Sequence, residues 1–174
     1  MGTDTVGVAI DIPEPWGSEL TRRRAEAGDA AAANVPAHLT LLGPTEIDPS
    51  RYREIEAHLS DVALVHRPYQ LQLRGTGTFR PVTDVVFVAV AAGISECELL
   101  AESVGSSSAL RRELRFPYHP HVTVAQDVPE AAMDAVFEDL ADFTAKFTVD
   151  RFTLFVHGPD GRWHPRREFL LGAE

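Results

Sequence analysis

The chain has 174 residues, 44% of them hydrophobic, enough to bury the core of one domain or of two small lobes that share one. Against 16 Lys and Arg stand 26 Asp and Glu, and the net charge of −10 argues against tight, sequence-independent binding of long nucleic acid, whose affinity comes from neutralising phosphates. No run approaches the roughly 20 apolar residues of a membrane span, and the start lacks a basic region followed by an apolar one, so neither a membrane nor an export address is predicted. The lone Cys97, between Glu96 and Glu98, reads as an unreactive thiol in a reducing cytoplasm.

The first predicted element is a strand at about 6–12, where Val6-Gly7-Val8-Ala9-Ile10 reads as a buried run. A helix follows at about 17–28, with Arg22, Arg23 and Arg24 as a solvated face. The strand at about 37–42 carries His38-Leu39-Thr40. Side chains alternate across a strand, so His38 and Thr40 share one face while Leu39 and Leu41 take the other. Pro49 opens a helix at about 49–64, whose Ile55, Leu59 and Val62 form one apolar stripe. A strand at about 69–75 follows. Gly75-Thr76-Gly77-Thr78 then reads as a loop, since it lacks the helix and lysine of a phosphate-binding loop.

The second half begins with a strand at about 84–91 and a helix from Ile94 toward Leu114, with a break expected at Gly105 to Ser108. A strand at about 119–126 sets His119, His121 and Thr123 on one face and Val122 and Val124 on the other. A helix at about 130–144 shows its stripe in Met133, Val136, Phe137 and Leu140. Strands at about 147–157 and 162–171 are joined by the turn-forming Gly158-Pro159-Asp160-Gly161.

A shift of 80 residues sets Val6–Ile10 on Val86–Val90 and Pro49 on Pro129, and nearly the same offset relates His38 to His121. This predicts one bilobal domain over 1–174 with an internal repeat of about 1–80 and 81–174. The expected class is α+β, with two pseudo-symmetric lobes, antiparallel or mixed sheets flanking a central cleft, and helices packed outside. Two polar strand faces would then meet across the cleft, where two imidazoles can serve as base and acid. Threonine is common on half-exposed strands, and only its equal spacing from two repeat-related histidines gives Thr40 and Thr123 a functional reading.

These residues resemble the 2H phosphoesterases, the superfamily of bacterial 2′-5′ RNA ligase (LigT-like) proteins and cyclic nucleotide phosphodiesterases. The resemblance rests on Pro36-Ala37-His38-Leu39-Thr40-Leu41-Leu42-Gly43 and Tyr118-His119-Pro120-His121-Val122-Thr123-Val124-Ala125, with a softer likeness in Phe79-Arg80-Pro81. It implies metal-independent hydrolysis or reversible ligation of 2′,3′-cyclic phosphate or 2′-5′ bonds, in small nucleotides or at RNA ends. His38 and His121 would be the acid–base pair, in either order, and Thr40 and Thr123 the donors to the phosphate. No cofactor is implied. The chain departs from the family at Gln126, where a basic residue is frequent, and in an apolar stretch before Gly43 that is one residue short, which would shift a loop over the cleft.

A small anionic ligand needs only a local cationic pocket, for which Arg22, Arg23, Arg24, Arg74, Arg80, Arg111, Arg112 and Arg115 are available. Arg80 is the foremost candidate for a phosphate contact. Phe79, Tyr118 and Trp163 are candidates to stack on a base, although core packing is the commoner fate of a residue such as Phe79. Two further readings stay open. One is a binding module that has lost turnover; the other is a metal-dependent enzyme using His119 and His121, ranked lower because the motif supplies no third ligand.

Overall fold

The computed structural model describes residues 2–110, 114 and 116–172. Arg111, Arg112 and Arg115 lie outside them. The strands are β1 Asp4–Asp11, β2 His38–Ile47, β3 Tyr69–Thr78, β4 Val85–Ala92, β5 His121–Gln126, β6 Thr144–Val149, β7 Arg151–His157 and β8 Trp163–Leu170. The helices are α1 Trp16–Glu26, α2 Tyr52–Val65, α3 Ile94–Val104 and α4 Glu130–Asp139.

All eight strands join one sheet in the order β6-β3-β4-β5-β2-β1-β7-β8, and every pairing is antiparallel. The α+β class is as expected. Reading outward from the middle gives β2-β1-β7-β8 on one side and β5-β4-β3-β6 on the other. These groups do not coincide with the chain halves, because β3 sits beside β4 while β7 pairs with β1. The β-branched runs fill β1 and β4, whose Val6, Val8, Ile10, Val86 and Val88 are buried. The groups meet at the registered pair Leu39↔Val122, two residues with no exposed surface.

The run 147–157, expected as one strand, is two. β6 pairs with β3 and β7 with β1, and only Asp150 separates them. Two residues of chain reach about 7 Å at most, so a strand on one edge of the sheet lies close to a strand of the other group. The sheet must therefore curl, as sheet twist allows. Gly75-Thr76-Gly77-Thr78 also departs from expectation: it continues β3 through a register irregularity, with Gly75 at φ +70°. A Cβ on Gly77 would stand 2.6 Å from the ring of Phe87, so a bare backbone is what lets that ring lie across the strand.

The helices bury the stripes their periodicity indicates. Ile55, Leu59 and Val62 of α2, and Met133 and Val136 of α4, are buried. α3 stops at Gly105, close to the expected break, and a single short turn follows at Ser108–Leu110. α4 ends five residues early, at Asp139. Cys97 faces the core beside the Tyr69 hydroxyl at 3.2 Å. Burial pushes its thiol up to about 11; the Tyr69 contact opposes this, and Glu96 and Glu98 add to it. No helix of the described residues is long and apolar enough to cross a membrane.

Candidate active site

The alternation in β2 and β5 places the two motifs as their spacing predicts. Leu39, Leu41, Val122 and Val124 are buried, whereas His38, Thr40, His121 and Thr123 are half-buried and line a common cleft of roughly 380 Å³. Continuing the antiparallel register from Leu39↔Val122 sets His38 opposite Thr123 and Thr40 opposite His121. Each imidazole thus has the other strand's threonine as its cross-strand neighbour. Neither threonine hydroxyl bonds to a described residue, so both stay available to a ligand.

The two rings share one anchoring. His38 Nδ1 lies 2.8 Å from the Pro36 carbonyl and His121 Nδ1 lies 2.7 Å from that of His119, in each case two residues upstream. A carbonyl only accepts, so Nδ1 carries the proton and donates it. In the neutral ring this leaves the lone pair on Nε2, which has no hydrogen-bond partner among the described residues. Burial lowers the pKa of both imidazoles, against the opposing effect of those carbonyls. The positive charge of Arg24 lowers His38 further, and His119 and His38 do the same to His121.

Behind His121 stands an aromatic wall. The Phe79 ring meets it edge-on at 5.1 Å, that of Phe87 lies tilted at 5.3 Å, and the two phenylalanines lie 4.6 Å apart. Phe79 therefore packs against a motif histidine. His119 is exposed and meets the edge of the same wall, 6.0 Å from His121 between ring centroids. Among the described residues no three His, Cys, Asp or Glu side chains cluster as a metal site requires.

Other sequence candidates are engaged elsewhere. The Arg80 guanidinium is held by Asp134 at 2.9 Å and Thr78 at 3.1 Å, and Arg80 is absent from the cleft lining. The Tyr118 hydroxyl donates to the Thr40 carbonyl at 2.8 Å, and its side chain borders a neighbouring, larger groove with Leu99 and Leu110. Of the three aromatic residues, Trp163 lines the cleft, beside Phe155 and Gly7. Gly43 and Pro44 belong to β2 and form part of the wall, not a loop above it.

One residue overturns its expectation outright. Arg24 is 7% exposed, not solvated, and it lines the cleft. Of its neighbours, Arg22 is exposed and pairs with Glu26, as expected, whereas Arg23 is half-buried, reaching toward Asp139 with its Nε covered and unpartnered among the described residues. Arg24 follows Gly17 and Leu20 at i, i+3 and i+7 on the buried face of α1, a spacing visible in the sequence. Its Nε donates to Asp29 Oδ2 at 2.7 Å.

Paired His-x-Thr motifs, side by side on adjacent strands that line one cleft in a curled antiparallel sheet with helices outside, define the class, and comparison with known sequences agrees. Residues 12–161 match the 2′-5′ RNA ligase superfamily, and the chain belongs to it. A protein of Geobacillus sp. (strain WCH70) named "putative phosphoesterase" is 30% identical over 148 residues, 84% of either chain. Another so named, from Bacillus cytotoxicus, is 30% identical over 146 residues, 83% of this chain and 84% of that one. E. coli LigT in its apo form has the same fold, with a TM-score of 0.70 at 22% identity over 99% of this chain and 100% of LigT. Crystal structures of LigT with NADP+ and with 3′-AMP also match, each at 98% of this chain and 99% of LigT, with TM-scores of 0.70 and 0.68 and identities of 22% and 21%.

Proposed function

We propose that the protein is a metal-independent phosphoesterase that opens a 2′,3′-cyclic phosphate, or cleaves and reversibly forms 2′-5′ bonds, in small nucleotides or at RNA ends. The observation that carries this reading is the matched anchoring of His38 and His121, which leaves one unpartnered Nε2 on each strand of the joint. Hydrolysis needs one imidazole to take a proton from water as its oxygen attacks phosphorus. The other, protonated, gives its proton to the ribose oxygen as the P–O bond breaks. The hydroxyls of Thr40 and Thr123 then donate to the non-bridging oxygens, where charge builds. Which ring begins as base depends on the direction of reaction.

Acidic overall charge favours a small substrate over long RNA. The crystal structures of LigT complexed with NADP+, ATP, 3′-AMP and phosphate support a nucleotide-sized ligand in this fold. The test is turnover of 2′,3′-cyclic nucleotides in EDTA by the unaltered protein, His38→Ala and His121→Ala. Activity is expected in the first and its loss in both variants. Activity that survives both substitutions ends the two-histidine reading, and a cyclic nucleotide bound without turnover favours a binding module.

A further inference from the structure

The seven other arginines in ion pairs among the described residues have partners far from the chemistry or facing solvent, Arg23 with Asp139 among them. Arg51 pairs with Glu54, Arg80 with Asp134, Arg151 with Asp150 and Glu168, and Arg166 and Arg167 share Glu56; Arg22 takes Glu26. Among the described residues lining the cleft, Arg24 is the one charged side chain apart from the two histidines. On a chain of net charge −10, an anion drawn into this cleft meets its positive charge at that residue.

The way Arg24 is held fits a ligand more closely than it fits a purely structural ion pair. A guanidinium has five N–H donors, and here only Nε is used, toward Asp29 Oδ2. The terminal nitrogens have no hydrogen-bond partner among the described residues, although the side chain is more than nine-tenths buried. Those nitrogens are not sealed in: among the described residues the one buried side-chain nitrogen or oxygen without a partner is Arg23 Nε, so the terminal N–H groups of Arg24 face the open cleft, where an anion can take the place of water. Asp29, by contrast, is saturated. Its Oδ1 accepts from the Ala31 N–H at 2.9 Å, and its Oδ2 accepts from Arg24 and from the Gln126 N–H at 2.9 Å.

Asp29 is therefore held by the turn that follows α1 and by the last residue of the His121 strand, and it fixes Arg24 through Nε. Arg24 and His38 line the same cleft, so the guanidinium stands near the other motif strand as well. We infer that Arg24 is a phosphate-binding residue of this cleft, presenting its terminal N–H groups to a phosphoryl oxygen between the two motifs, with Asp29 as its positioning residue. The inference rests on the phosphoesterase reading for its substrate, but not for its anion. Gln126 lines the same cleft with a neutral side chain, so the cation reaches the phosphate from a helix and not from β5.

The experiment uses inorganic phosphate as probe and the imidazole ring-proton NMR signals of His38 and His121 as readout. Arg24→Gln combined with Asp29→Asn removes both charges and keeps an amide pair in the same place, so that no carboxylate is stranded. The unaltered protein is expected to bind phosphate with both signals shifting, and the double variant roughly ten- to a hundredfold more weakly, the worth of one or two charged hydrogen bonds. Equal affinity in a folded double variant overturns the inference. Should that variant fail to fold, the side-chain ¹⁵N resonances of Arg24 in the unaltered protein decide: a shift on saturation with phosphate supports the contact, and no shift overturns it. Phosphate bound through Arg24 without turnover of any cyclic nucleotide removes the reaction and leaves the site. Turnover with phosphate affinity independent of Arg24 does the reverse.

Discussion

His38 and His121 occupy equivalent places, each opening a central strand, each donating Nδ1–H to a carbonyl two residues back, each two residues before a threonine. Their surroundings differ in kind. His38 lies near a buried cation, Arg24, held by Asp29, whereas His121 rests against the phenyl rings of Phe79 and Phe87. Both environments disfavour an imidazolium, one by charge as well as burial, the other by burial and by neighbouring histidines. Symmetry of the backbone thus coexists with asymmetry of the medium. A base and an acid must differ at the moment of reaction, and unlike surroundings are one way to let identical side chains do so.

The largest effect that would break the equivalence is on turnover. His38→Ala and His121→Ala are each expected to lower kcat by about 10²- to 10⁴-fold, the usual worth of a general acid or base, and the double variant to be little worse than either. Assay of a 2′,3′-cyclic nucleotide checks this; a large loss at one site only would mean that the second ring is a bystander. Next comes stability. Phe87→Ala should cost about 3–5 kcal/mol in urea unfolding, as for other buried aromatic rings. Among the described residues no aromatic ring packs on His38 as these do on His121.

The pH dependence tests the electrostatics on both sides. Both imidazoles titrate below their ordinary value, so the unfolded chain binds protons that the folded protein refuses. Their contribution to stability is whole above about pH 6.5 and is lost as pH falls through the lowered values. Unfolding midpoints at several pH values, for the unaltered protein and for His38→Gln with His121→Gln, should show a steeper acid loss in the former. Phe79→Ala admits water to one side and should raise the His121 pKa while leaving that of His38 in place, as read by NMR titration. The smallest expected effect is that of Gly7→Ala. Its Cβ would approach the Leu42 carbonyl at 3.3 Å and Trp163 at 3.5 Å, tightening the cleft and raising KM. Stability should change little, because the entropy gain of about 0.4–1 kcal/mol offsets the crowding.

The alternation of two short words exposed the central strands and their inward polar faces, because a period of two is a local property that a sequence carries openly. What escaped was set by distant partners. Arg24 sits in a run of three arginines that looks solvated, and only its spacing from Leu20 and Gly17 hints that it turns inward. Gly75-Thr76-Gly77-Thr78 has the composition of a loop, yet Gly77 serves a ring from β4. The split of 147–157 rests on Asp150 alone, and no local signal says that its two sides belong to different ends of a sheet. Arg80 stood next to an aromatic residue that does reach the motif, but its own partner, Asp134, lies on α4.

Asp150 has a mechanical consequence. The two four-strand groups are joined at β2 and β5 by one registered pair, and again through this single residue between β6 and β7. Its carbonyl accepts from the Leu171 N–H at 2.9 Å, and its carboxylate holds Arg151, so the crossing is clamped as well as short. With the Asp29 bond to the Gln126 N–H as a further tie, the two groups are fastened along more than one line, which opposes their parting about a single hinge. The span of the cleft is then set by the backbone, and what fits it by the side chains that line it.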